Sequence, residues 1–138
     1  MVRSSVLEQQ TDRSDAVETP RAWKIDLSML SPRDRMSVAC DGVIDIAAAL
    51  FNVSGKELRE PGRSVLSVSR VRQIAMYVAH VELGLTMREV GDGFGRDRTT
   101  VLHACHQIED LRDDPDFEAI VARVERVVTT VFVRVGRK

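Results

Sequence analysis

Apolar residues recur at three- and four-residue intervals along most of the chain, and the breaks between these stripes are polar or rich in glycine. That spacing predicts helices. In the first stripe Met36, Ala39, Val43, Ile46, Ala47 and Leu50 share one face. Ser31 can cap this helix, Pro32 suits its first turn, and Asp34 complements the positive end. Gly42 weakens its middle by about 1 kcal/mol. Ser54 and Glu57 then have capping-box spacing for a short helix, closed by Pro61-Gly62. The next stripe joins Val68, Val71, Ile74, Ala75, Val78, Ala79 and Leu83 and stops at Gly84. Arg70, Arg72 and Gln73 are expected on its other face, near the start.

Thr86 and Glu89 form a second capping box. It opens a short helix with Val90 and Phe94 turned inward and glycines in its last turn. A turn of about three residues follows, and then a helix from about Asp97 to Arg112. Val101, Ala104, Cys105, Ile108 and Leu111 share its inner face; Thr99, Thr100, His103, His106 and Gln107 share the outer one. After Pro115, the positions Phe117, Ile120, Val124, Val127, Val128 and Val131 fit a last helix. The β-branched run "VVTTVFVRV" also suits a strand, and helix is the expectation there. Residues 1–30 are polar and lack a sustained period, which predicts a mobile tail. Its apolar cluster, Trp23, Ile25, Leu27, Met29 and Leu30, either docks on the core, stays loose or serves a protein partner. The organisation expected is a polar tail over 1–30, a helical domain over 31–133 and a frayed end over 134–138. The fold class is all-α, a small bundle containing a helix-turn-helix.

Composition narrows the function. The 138 residues are 43% hydrophobic, enough for one modest core. The net charge of -1 and a pI near 6.3 do not advertise a polyanion partner, so charge must be read locally. No apolar run approaches the roughly 20 residues of a membrane span, and the N-terminus lacks the apolar stretch of a secretory signal. Cys40 and Cys105 form no CxxC pair and read as buried thiols in a reducing cytoplasm. With 4% aromatic residues, stacking on single-stranded bases is a poor mechanism. Cys105 falls on the apolar face, away from the adjacent His106, and no second cluster has metal spacing, so no metal site is expected, and no Ser-His-Asp arrangement indicates an enzyme.

The chemistry concentrates in "GFGRDRTTVLHACHQIEDL". A short helix, a glycine turn and a longer helix with a polar start make a helix-turn-helix. In such units the second helix enters the major groove and its first residues reach base edges. Asp97 can accept from a cytosine amino group. Arg98 or Arg96 can donate twice to guanine or pair with phosphate. The methyls of Thr99 and Thr100 can pack on thymine methyls, and His103 lies one turn further on. Each part also has an ordinary explanation: Asp97 is a good N-cap, and an Arg-Asp-Arg run is often a solvated surface pair.

Taken together, "VRQIAMYVAHVELGLTMREVGDGFGRDRTTVLHACHQIEDL" resembles the C-terminal DNA-binding domain of DnaA, the bacterial chromosomal replication initiator. The similarity spans about residues 34–130. The family motif reads like G-R-D-H-T-T-V-L-H-A, and "GRDRTTVLHA" matches nearly all of it. The resemblance implies double-stranded DNA binding at a DnaA-box-like site by a cytoplasmic, nucleoid-associated protein. It implies base and phosphate contacts for Asp97, Thr99, Thr100 and His103, and phosphate contacts for Arg72 and Gln73. A family arginine enters the minor groove from a basic loop; its position matches Ser64 here, with Arg63 adjacent.

Several departures bear on affinity. Arg98 replaces the motif's histidine, and the turn is one glycine shorter. His80, His106 and Gln107 replace basic residues. From Arg59 to His103, seven arginines face five acids, a small positive excess. Each phosphate neutralised adds roughly one unit to the salt slope, so weaker binding with altered specificity is expected. No G-x-x-x-x-G-K-[ST] loop is present, so neither nucleotide binding nor a cofactor is expected. These features predict a regulator of transcription or replication initiation without ATPase activity. The competing expectation is a protein-interaction module that kept the fold and lost DNA affinity.

Overall fold

The computed structural model describes residues 24–52 and 66–136. Five α-helices build it: α1 (Pro32–Phe51), α2 (Leu66–Val81), α3 (Met87–Phe94), α4 (Arg98–Leu111) and α5 (Pro115–Val131). The all-α class and the helix-turn-helix are as the apolar spacing predicts. The expected helix around Ser54–Glu57 lies outside the described residues.

Local chemistry sets the helix ends. The Ser31 hydroxyl accepts from the Asp34 N–H at 3.2 Å, with Pro32 in the first turn. Asn52, at φ 56°, closes α1 in the left-handed region that asparagine tolerates better than most residues. Asp114 caps α5 through the Phe117 N–H at 3.0 Å.

α2 is the central helix. Every residue from Val71 to Ala79 except Gln73 is buried, because α1, α4, α3 and α5 all pack against it. The stripe anticipated from Val68 to Leu83 is entirely in the core, joined by Met76, Tyr77 and Leu85. On α1 the buried face is Ala39, Cys40, Val43, Ile44 and Ala47. Leu50, expected inside, is 41% exposed, as is Ile120 of α5 at 42%. Each fully buried Leu, Ile or Phe contributes about 1.5–3 kcal/mol of apolar transfer, so residues such as Phe94, Ile44, Ile74, Leu83 and Ile108 anchor the bundle.

The boundary expected at residue 30 moves. Ile25–Asp26 forms a short strand, β1, pairing in parallel with β2 (Phe132–Val133), Ile25 opposite Phe132 and Asp26 opposite Val133. A 3-10 turn, Leu27–Met29, follows β1 and buries Leu27 completely. Lys24 Nζ donates to the Thr129 carbonyl at 3.2 Å. At the other end, the Val135 N–H donates to the Leu83 carbonyl at 2.9 Å. Residues 24–30 and 134–135, assigned above to the tail and the frayed end, are therefore parts of the fold. One buried leucine and a two-residue strand carry no period, which is why the pattern missed them. The clasp also accounts for Gly42: the Phe132 ring lies where a Cβ would stand, so the helix-weakening glycine admits the C-terminal strand.

Candidate nucleic-acid interface

α3, a three-residue turn and α4 form the helix-turn-helix. Its entry is a complete capping box: the Thr86 hydroxyl accepts from the Glu89 N–H at 3.0 Å, and Glu89 Oε1 accepts from the Thr86 N–H at 2.9 Å. The other Glu89 oxygen accepts from Arg35 Nε of α1 at 3.3 Å. One carboxylate thus starts α3 and ties it to α1. Arg35 lies 54 residues from Glu89 and gave no signal in the sequence.

The glycines of α3 are sites of close approach. A Cβ on Gly93 would collide with the Cys40 side chain of α1. The Gly91 carbonyl accepts from the N–H groups of both Gly95 and Arg96, the latter at 2.8 Å. A Cβ on Gly91 would stand 2.6 Å from the Arg96 carbonyl oxygen. Gly95 itself, at φ 70°, takes the left-handed conformation that ends α3. These contacts fold the turn back onto α3 and aim α4.

α4 begins at its cap. Asp97 Oδ1 accepts from the Thr100 N–H at 3.3 Å and the Thr100 hydroxyl at 2.9 Å. Those hydrogen bonds hold the Asp97 carboxyl below its usual range. Both bonds fall on Oδ1, so among the described residues Oδ2 is left for an outside donor. Val101, Ala104, Cys105 and Ile108 are buried, and Asp97, Arg98, Thr99, Thr100, His103, His106 and Gln107 are exposed. The helix therefore divides as its periodicity anticipated, and among the described residues nothing covers its first turn. Cys105 faces the core, where burial, followed by the nearby Glu109 charge, pushes its thiol up to about 11.

Two residues sit differently from expectation. Arg72, placed on the face of α2 opposite the apolar stripe, is only 7% exposed, because α2 is surrounded rather than half-covered. Desolvation, followed by the Arg96 charge, lowers its pKa, so the Arg96 guanidinium lies within electrostatic reach of it. Gln73 beside it is half-buried and accepts from Arg70 at 2.7 Å. His80 is half-buried and its Nδ1 donates to the Leu85 carbonyl at 2.8 Å, bracing the α2–α3 connection. Arg63 and Ser64 lie outside the described residues.

The far end of α4 is locked. The Arg112 guanidinium donates to Glu118 at 2.6 and 2.9 Å, to Glu125 at 2.8 and 3.1 Å and to the Tyr77 hydroxyl at 3.1 Å. It also stands 5.7 Å from the centre of the Tyr77 ring. Tyr77 in turn donates to Glu109 at 2.7 Å, and burial, then that carboxylate, pushes its hydroxyl up to about 12. The cluster joins α2, α4 and α5. No described group of three His, Cys, Asp or Glu residues could hold a metal, and no described helix is long and apolar enough to cross a membrane.

A cleft of about 390 Å³ separates the first turns of α3 and α4, lined by Thr86, Met87, Arg88, Arg98, Thr99 and Leu102. Of these, the sequence pattern singled out only Arg98 and Thr99 as binding residues. Arg88 and Leu102 become visible only once the two helices are docked.

An exposed, polar helix start held on a packed inner face defines a helix-turn-helix protein. The chain belongs to the bacterial DnaA helix-turn-helix family, whose model matches residues 40–108. It is 34% identical over 92 residues to the chromosomal replication initiator protein DnaA of Lachnoclostridium phytofermentans, a match covering 65% of this chain. The chain spans about a fifth of that relative's length, the matched region being 20% of it.

Proposed function

We propose that this protein binds double-stranded DNA sequence-specifically through the first turn of α4, as a cytoplasmic, nucleoid-associated regulator of transcription or replication initiation with no ATP hydrolysis of its own. One observation carries this: Arg98, Thr99 and Thr100 are exposed together while the same helix's other face is fixed in the core. A rigid helix presenting varied donors and acceptors is what direct readout requires.

The roles follow from the bonds each side chain has already made. Asp97 is charged and keeps Oδ2 for a cytosine amino group. The Thr100 hydroxyl is committed to Asp97, so its methyl is the outward chemistry, suited to thymine. Thr99 brings both a hydroxyl and a methyl. Arg98 donates to guanine O6 and N7, and His103 extends the contact by one turn. Arg96 and Arg72, whose charges feel each other, suit the phosphate backbone, and Gln73 orders Arg70. Arg63 serves the minor groove.

Selection of a preferred duplex from a random pool, followed by binding at low and moderate salt, tests this. Enrichment of one short asymmetric site is the expected result. Failure to bind any duplex at low salt would favour the second reading, a protein-interaction module. The small positive excess of the region and the burial of Arg72 are the observations on that side.

A further inference from the structure

The cleft between α3 and α4 holds two arginines with no hydrogen bond or ion pair among the described residues, Arg88 and Arg98, one on each wall. Its polar lining supplies donors. Thr86 accepts from the Glu89 N–H, so its own proton remains to be given, and the Thr99 hydroxyl is exposed. Among the described residues no carboxylate lines the cleft. Glu89, the nearest acid in sequence to Arg88, is spent on the Thr86 N–H and Arg35. Met87 and Leu102, the latter 38% exposed, add an apolar part. A space with cationic walls, hydroxyl donors and a patch of hydrocarbon matches a phosphodiester with its attached deoxyribose.

We propose that Arg88 grips a backbone phosphodiester of the DNA strand that runs past this cleft, while Arg98 on the opposite wall reaches the base edges. The geometry of the motif supports the division: the first helix of a helix-turn-helix crosses the backbone, and the second lies in the groove. Arg88 is in the first turn of α3, where the helix's positive end adds to its charge. The proposal rests on the DNA-binding function above and adds to it a positioning cation that affects affinity equally on every sequence.

The test uses the full chain and two duplexes, the selected site and a scrambled control, each titrated across a salt series. Arg88→Ala should weaken binding to both duplexes by the same factor and make the slope of log affinity against log salt shallower by about one unit. Arg88→Lys should restore the slope. The melting temperature of Arg88→Ala should match the wild type, since Arg88 makes no hydrogen bond or ion pair among the described residues. Replacing single linkages by neutral methylphosphonate should reveal one position that weakens the wild type and has no further effect on Arg88→Ala. An unchanged slope, or a changed ratio between the two duplexes, overturns the role assigned to Arg88 while leaving DNA binding intact. A wild-type protein that binds neither duplex at low salt overturns both the function and this inference.

Discussion

The two ends of α4 are built on opposite plans. At its C-terminal end Arg112 engages Glu118, Glu125 and Tyr77, and three helices meet there. At its N-terminal end Asp97 caps the helix and holds Thr100, while Arg98, Thr99 and His103 face solvent. Stability is concentrated where the helix is anchored, and unused hydrogen-bonding capacity where it is exposed. A helix locked at both ends would have nothing left to offer a ligand. One loose at both would pay ordering entropy each time it bound.

This contrast can be broken from either side. The largest effect is expected from Gly93→Ala, which puts a methyl into the Cys40 side chain and pries α3 off α1. A loss of about 1–3 kcal/mol in denaturant unfolding is expected, as for an overpacked core. Arg112→Ala should follow closely. It leaves the carboxylates of Glu118 and Glu125 facing each other without their cation, and a loss of about 1–3 kcal/mol is expected. Because the cluster is partly exposed, the lower half of that range is favoured. Duplex preference in a selection experiment should remain that of the wild type.

Arg98→His should do the reverse. Its unfolding free energy should stay within about 0.5 kcal/mol of wild type. Preference at one base position should shift by about 1–3 kcal/mol, towards the family's box. Identical selected sites for both forms would show that residue 98 reads no base.

The smallest effect concerns Glu82. Burial, then a hydrogen bond to Glu125, raises its pKa, against the opposing charges of Arg134 and Arg112. The folded state therefore holds this proton more tightly than the unfolded one. The stabilisation is full below the ordinary glutamate range and fades as pH rises through the folded value. Glu82→Gln should consequently raise the melting temperature slightly at neutral pH, and the gain should vanish below about pH 3.5, where the wild-type carboxyl is largely protonated in both states.

Much of this arrangement was legible because it is local. Thr86 and Glu89 are three residues apart and cap α3 as their spacing implied. The inner and outer faces of α4 follow a period of 3.6 residues, and α4 begins within a residue of where the pattern placed it. What escaped detection depends on residues distant in sequence. Ile25 and Phe132 pair across most of the chain in a strand too short to show alternation. The burial of Arg72 escaped the pattern because a stripe reports one face of a helix, and α2 has neighbours on nearly all sides. Arg88 was only one of the seven arginines of its region until the docking of α3 on α4 placed it across a cleft from Arg98. Leu50 and Ile120 fit their stripes but line an open groove between α1 and α5, which leaves them partly exposed.

The central claim is that the first turn of α4 meets the bases of a duplex. Its most direct test is a titration of isotope-labelled protein with the selected duplex, followed by amide resonances. The account predicts the largest shifts from Arg96 to His103, with Arg88 among the affected residues and Ile44 and Val128 in the core unmoved. Shifts confined to the outer faces of α1 and α5, with the Asp97–Thr100 amides unchanged, would contradict it.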